Sequence, residues 1–350
     1  MTGVPERPAV AVAVAVAVCI VTHNDAADLP GCFAALAGVT HRPLEVIVAD
    51  CASRDGSPEV ARREAAARIP DIPCQVVELG ENRGFAGGMN AAFARTGAPF
   101  VMTLNADAHL GPDYITRLLE RARAHPGLRV GGLTGRILRF PRDAEGNEGE
   151  PRLLDACGMY LTANWRHLDR GSGETDHGQW GRPERVFGAT GAAALFSREA
   201  LLDVAVDGEI FDSRFHTYRE DAELCFRLRE RGWEILYEPA ALAEHRRFNL
   251  PQRRSAMPEA ANYNSLKNRY LLRLYHQTGA NFLRTFFPTL GRDLVALAYV
   301  LLKEHSSLPA YSWLWRHRRE ILRWRRIIQG RRTVPAGEVD RWFHVQGEPL

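Results

Sequence analysis

The sequence predicts an α/β fold built on a doubly wound, mostly parallel sheet. Three observations lead there. Apolar runs of strand length alternate with amphipathic runs of helical length through the first two thirds of the chain. The first apolar run is continuous, as a central strand buried on both faces must be. Polar residues recur after successive strands, at 22–25, 50–53, 81–90 and 105–107, and a parallel sheet gathers such ends along one edge. With 350 residues, 45% of them hydrophobic and 25% charged, the chain has an ordinary soluble composition and room for one large domain with an appendage.

In order, residues 8–21 form the first strand. A secretory leader is not expected: only Arg7 precedes the run, Val18 stands before Cys19 where a lipoprotein needs a smaller residue, and the stretch is short for a bilayer. The six cysteines have no metal-ligand or disulfide spacing and are expected reduced, in the cytoplasm. Residues 29–36 have helical periodicity and 44–49 are a second strand. A helix rich in Ala and Arg opens near Ser57, and strands follow at 75–79 and 99–104.

The segment Glu81-Asn82-Arg83-Gly84-Phe85-Ala86-Gly87-Gly88-Met89-Asn90 matches neither a dinucleotide fingerprint nor a phosphate loop. Its glycines permit close backbone approach to a ligand and leave helix N–H groups for an anion, although a tight turn explains them equally well. Asp107 closes a strand-end Leu104-Asn105-Ala106-Asp107, where an Asx turn is the plain alternative. Residues 139–183 lose periodicity and read as a structured loop holding Trp165, an acceptor-side candidate, among basic residues. A run of small residues including Gly191 and Ala192 permits close approach or tight packing. Glu220 and Asp221 open a helix that Gly232 stops; acids there either complement the helix dipole or, kept ionised by it, serve as a general base. His245 ends the next strand, as a structural residue or a metal ligand.

With these residues in order, the chain resembles glycosyltransferase family 2, the inverting enzymes of A-type fold, and within it the rhamnosyltransferase-like branch, over residues 14–275. The resemblance implies a single A-type domain at 8–250, with a nucleotide-sugar half at 8–130 and an acceptor half at 131–250. It implies that Thr22, Asn24, Asp50 and Ser53 line the base and ribose, and that Asn82, Arg83, Gly84, Phe85, Gly88 and Asn90 line the ribose and diphosphate. Asn105, Ala106 and Asp107 match the metal motif, with Asn105 where many relatives have a first aspartate. Asp107 and His245 would hold Mg²⁺ or Mn²⁺, and Asp221, beside Glu220, would be the catalytic base. Gly191, Ala192 and Trp165 fall on the acceptor side. The implied donor is a dTDP- or UDP-sugar, with dTDP-rhamnose leading, and the acceptor a glycan or a polyprenyl-linked saccharide. Two rivals stay open: a degenerate member that binds without turnover, and a nucleotidyltransferase, which does not need the Glu220-Asp221 helix.

Charge is unevenly spread. The net +3 combines −9 over residues 1–245, +14 over 246–332 and −2 over the last 18. The basic block at 251–332 is expected as an amphipathic helical extension. Its stretch 290–302 is too short and too charged to span a membrane. Trp313, Trp315 and Trp324 interleave with arginines, which suits peripheral contact of 262–332 with anionic lipid at the inner face of the plasma membrane. Solvated or oligomer-forming helices are the alternative. No nucleic-acid motif accompanies the block. Residues 333–350 are expected as a flexible tail.

Overall fold

The computed structural model describes residues 15–140, 152–247 and 257–350. The part of the first apolar run before residue 15 lies outside them. β1 (Val16–Thr22), α1 (Leu29–Gly38), β2 (Leu44–Asp50), α2 (Ser57–Arg68), β3 (Cys74–Glu78), α3 (Gly84–Phe93) and β4 (Phe100–Asn105) alternate as predicted. They pair in the parallel order β3-β2-β1-β4. The chain thus reverses its direction across the sheet between β1 and β4, and the crevice at their C-terminal ends is where such sheets take ligands.

The continuous apolarity of β1 has a direct cause. Val16, Val18 and Ile20 face a core with Leu29, Phe33 and Leu36 of α1, whereas Ala17 and Cys19 face Ala86, Met89 and Ala92 of α3. Each fully buried aliphatic side chain contributes about 1.5–3 kcal/mol, so both layers hold this strand in register.

Beyond β4 come β5 (Ala108–Leu110), α4 (Tyr114–Arg123) and β6 (Val130–Arg139). The expected loop region contains β7 (Leu154–Ala156), β8 (Met159–Leu161) and β9 (His167–Asp169). β10 (Glu184–Arg185), β11 (Ala193–Ser197), α5 (Arg198–Val204), α6 (Glu220–Glu230) and β12 (Glu234–His245) complete the unit. β11 enters antiparallel between β4 and β6, while β12 runs parallel to β6. The sheet is therefore mixed, parallel under the nucleotide edge and reversed where the second half joins it. All six cysteines are free thiols, five of them buried.

The C-terminal part departs from expectation in three ways. First, α7 (Glu259–His276) is no appendage: Leu271, Leu272 and Tyr275 share one core with the sheet, so the folded unit does not end at 250. Second, α8 (Gly279–Leu302) starts well before the stretch judged too short, and among the described residues it is the one helix long and apolar enough to cross a membrane. It is nevertheless tied along its length to the domain. The Trp165 indole donates to Asn281 (2.9 Å), Asn281 donates to Asp340 (3.0 Å), and Arg273 pairs with Asp293 (2.7 Å).

Third, the tail is folded. After α9 (Pro309–Arg316) and α10 (Arg318–Gly330), α11 (Ala336–Asp340) leads through a single 3₁₀ turn to β13 (Glu348–Pro349), which pairs with β10. Trp342 is only 1% exposed, under the Arg229 guanidinium. α10 likewise turns Ile321, Trp324 and Ile328 inward, at helical spacing. Several of its arginines are engaged with the domain: Arg323 pairs with Asp207, and Arg325 donates to the carbonyls of Leu274 (2.8 Å) and Gln277 (2.7 Å). The apolar face left outward belongs to α8, with Leu283 76% and Phe287 81% exposed.

Candidate active site

The nucleotide edge is assembled by register. Pairing sets Thr22 beside Asp50 and Val21 beside Asn105. The Thr22 hydroxyl donates to Asp50 Oδ1 (2.9 Å) and the Ser53 N–H to Asp50 Oδ2 (3.0 Å). The Asn24 N–H donates to Ser53 Oγ (2.9 Å), and Asn24 Oδ1 accepts from the Arg54 N–H (2.8 Å). The four predicted residues are thus one bonded edge. Asp50 is its brace, 2% exposed with both oxygens engaged, which leaves little of the carboxylate to a base.

Behind this edge, Gly84 opens α3 at φ +66° with its N–H on Asn82 Oδ1 (2.9 Å). A Cβ there would overlap the His216 ring, so only glycine fits. Gly88 packs so tightly on Val21 that a Cβ would lie 2.6 Å from its methyl carbon. Asn82 and Arg83 are exposed. Asn90 departs from its assignment to the donor. Its oxygen accepts from the N–H groups of Ile210 (3.1 Å) and Phe211 (2.9 Å), and its amide nitrogen donates to Phe211 O (2.7 Å). The side chain is fully used in bracketing a loop.

At the metal motif, His245 Nε2 lies 3.3 Å from Asp107 Oδ1, and Nδ1 lies 2.8 Å from Asp155 Oδ2. Burial pulls the imidazole pKa down, but the hydrogen bonds to the two carboxylates outweigh it and lift the pKa to about 9. The amide of Asn105 stands 3.4 Å from the same Nε2. The Asp107 carboxylate and the His245 imidazole therefore meet at this strand end, with the amide nitrogen of Asn105 beside them. Among the described residues no group of three or more His, Cys, Asp or Glu forms a closed metal cage. This donor set fits a divalent cation that draws most of its oxygens from a diphosphate. Asp155 was not singled out from the sequence; its one signal is an acid inside the apolar run 153–157.

Asp221, the residue expected as the base, is held from the same place. Asn105 N–H donates to Ala192 O (3.0 Å), and the next residue back, Gly191, donates its N–H to Asp221 Oδ2 (3.0 Å). Consecutive small residues thus tie the end of β4 to the first turn of α6. A Cβ on Gly191 would press on the Phe85 ring at 3.1 Å, so the donor helix meets the same turn. Burial pushes the Asp221 carboxyl up to about 6, partly offset by the N–H bonds from Gly191 and Ala222. Glu220 differs: burial, then the Asp221 charge, raises it well above the carboxylate range, and its Oε2 has no partner. That upward shift disfavours the ionised form of Glu220 and makes it a poorer candidate base than Asp221. Glu223 is structural, buried in a bidentate pair with Arg227.

The loop before α6 was illegible. His216, Tyr218 and Arg219 all have positive φ, near 61°, 71° and 75°. Asn268 of α7 holds this strained backbone, its amide nitrogen 2.7–2.8 Å from the carbonyls of Phe215, Thr217 and Tyr218. The carbonyl of His216 accepts from the Ala86 N–H (3.0 Å), joining the loop to the donor helix. Trp165, expected against the acceptor, is instead core. It is 4% exposed and stacked on Phe226, with centroids 5.6 Å apart.

The family profile described as Glycosyl transferase family 2 matches residues 17–204, more than half of the chain. The chain belongs to glycosyltransferase family 2. It is 29% identical over 266 residues to an N-acetylglucosaminyl-diphospho-decaprenol L-rhamnosyltransferase of Mycobacterium tuberculosis, covering 71% of this chain and 81% of that one. Among solved structures, residues 1–349 of S. aureus TarS, in complex with UDP-GlcNAc, align with TM-score 0.54 and 14% identity over 94% of this chain and 90% of that one. A Pyrobaculum calidifontis mannosyltransferase bound to GDP-Man and Mn²⁺ aligns with TM-score 0.50 and 18% identity, over 93% and 85%. These likenesses fix the A-type fold, with a helical C-terminal region packed on it. As a family member, the chain is a glycosyltransferase, similar to that mycobacterial rhamnosyltransferase.

Proposed function

We propose that this glycosyltransferase moves a sugar, rhamnose from dTDP-rhamnose as the leading donor, onto a lipid-linked saccharide, with inversion at the anomeric carbon. The observation that carries this reading is the Gly191-Ala192 turn, which ties the Asp107 strand end and the Asp221 helix into one site. The mycobacterial relative, named for a diphospho-decaprenol acceptor and rhamnosyl transfer, supports the choice of substrates.

In this mechanism the Thr22, Asn24 and Ser53 edge orients the nucleoside, and the α3 turn from Asn82 to Gly88 lets the diphosphate approach the backbone. Asp107 and His245 would hold a divalent cation, which offsets the charge of the departing nucleoside diphosphate. Asp221 takes the proton of the acceptor hydroxyl. That oxygen bonds to the anomeric carbon from the face opposite the diphosphate, whose C–O bond breaks with the electron pair leaving on the phosphate. Burial beside Asp221 disfavours a second negative charge on Glu220.

Membrane contact is carried by α8 in this reading. Its docked face prevents spanning, and its outward Leu283, Phe287 and Leu294 suit a helix lying in the lipid interface beside a cytoplasmic domain.

The experiment is Asp221→Asn. Transfer should fall by about 10²–10⁴-fold, the usual worth of a general base, with donor affinity within two-fold of wild type. Undiminished turnover would remove Asp221 from this role.

A further inference from the structure

The loop before α6 is held in a conformation that its sequence does not favour. His216 has φ +61° and ψ −70°, and the Thr217 N–H donates across it to Phe215 O (2.7 Å). This is a γ-turn of the rare positive-φ kind, strained for any residue with a side chain. Such strain persists only where the surroundings over-determine it, and it marks positions where geometry matters to function.

Two sets of contacts hold the turn. From α7, Asn268 reaches the carbonyls of Phe215, Thr217 and Tyr218 and leaves out that of His216. The His216 carbonyl turns instead to the Ala86 N–H (3.0 Å), and its ring lies against Gly84, where an added Cβ would overlap it. Nδ1 of the ring is buried and has no hydrogen-bond partner among the described residues. At this contact the ring therefore contributes shape rather than a polar interaction.

Gly84, Phe85 and Ala86 are the first turn of α3, and all three touch segments that support Asp221. Phe85 meets Phe211 edge-on, with centroids 5.9 Å apart, and is the ring on which a Cβ at Gly191 would press. Gly191 in turn donates to Asp221 Oδ2 (3.0 Å). Downstream of His216 the chain has little slack. Arg219 caps α6 at φ +75°, its carbonyl accepts from the Glu223 N–H (2.9 Å), and Asp221 lies in the first turn. One turn of α3 thus sets the place of Asp221 from two sides, through His216 before it and Gly191 across from it.

We propose that His216 is a positioning residue for the transfer step: its ring and carbonyl key the γ-turn onto the first turn of α3 and so fix Asp221 relative to a donor bound along that turn. This rests on the reading of Asp221 as the base and of the α3 turn as donor-lining. A misplacement of about 1 Å costs on the order of 10²-fold in rate, so the contact should show in kcat and leave the grip on the donor alone.

The test compares His216→Gly, His216→Phe and Asp221→Asn with wild type on the full chain, using dTDP-rhamnose as donor, a prenyl-diphosphate-linked saccharide as acceptor and dTDP for binding. Glycine accepts the γ-turn without strain, so His216→Gly should fold and keep the carbonyl bond while losing the ring. It should lower kcat by about ten-fold or more, with donor KM and dTDP affinity within about two-fold of wild type. The apparent pKa of its kcat profile should not move, because Asp221 still takes the proton. His216→Phe keeps a flat ring without nitrogens and should recover most of the loss.

Normal kcat in His216→Gly would overturn the proposal. So would a fall in dTDP affinity as large as the fall in kcat, which would make His216 a donor contact. His216→Phe as slow as His216→Gly, at an unchanged melting temperature, would show that the ring nitrogens act in the chemistry and would end the positioning role. Undiminished turnover in Asp221→Asn would remove the base and this role with it. Lost turnover there beside normal His216→Gly would leave the base standing and remove the role of His216 alone.

Discussion

At the scale of single residues, the structure sets two adjacent acids apart. Glu220 and Asp221 share a helix turn, yet only Asp221 receives the Gly191 N–H, which offsets part of the burial that lifts its carboxyl to about 6, whereas Glu220 is raised well above the carboxylate range. A base must be ionised to work, so activity should be flat above pH 7 and fall about ten-fold per unit below 6. A pH profile of kcat/KM checks this, and activity undiminished at pH 5 would mean another group takes the proton. The positions of Asp107, His245 and Asp221 at element ends were legible because each closes or opens an element whose period is plain in the sequence. Asp155, which holds His245 from behind, was not, because a short strand inside an aperiodic segment delivers it. Trp165 was misplaced for a related reason. Its surroundings come from Asn281 and Phe343, over a hundred residues away, and no local pattern announces them.

At the scale of elements, α7 and α8 do different work from that suggested by their composition. Asn268 of α7 spans three carbonyls of the strained turn before the catalytic helix. Asn268→Ala should cost about 1–3 kcal/mol of stability, as buried polar groups lose their partner. It should also lower kcat more than donor affinity, since the turn ends at Arg219 and Asp221. Denaturant unfolding read together with donor titration checks the pair of effects; a loss of stability with normal kcat would confine Asn268 to the fold. For α8, Phe287→Glu should abolish sedimentation with anionic vesicles while leaving the melting temperature within a degree or two, because this ring faces solvent. Retained sedimentation would move the lipid contact elsewhere. The stretch 290–302 was read as too short because Arg292 and Asp293 interrupt it. The helix persists through them because Asp293 pairs with Arg269 and Arg273, and Arg292 turns to backbone carbonyls.

For the whole molecule, the sequence order of strands and polar ends was enough to foresee the sheet, the gathering of polar strand ends along one edge, and the family. What it could not show is that one core continues from Leu201 and Phe226 through Tyr275 and Trp324 to Trp342, so the C-terminal helices stiffen the catalytic half. Such closure depends on contacts between distant segments, and only the folded chain brings them together. The same core fixes α6 and its acids against the parallel half of the sheet, an arrangement that suits a working transferase despite Asn105 at the end of β4. The most direct test of that claim is nucleoside diphosphate release from a panel of nucleotide sugars, with a prenyl-diphosphate-linked saccharide, in Mn²⁺ and in EDTA. The account predicts acceptor-dependent release from one donor, dTDP-rhamnose first, and its loss in EDTA. Saturable binding of a nucleotide sugar with no release under any condition would contradict it.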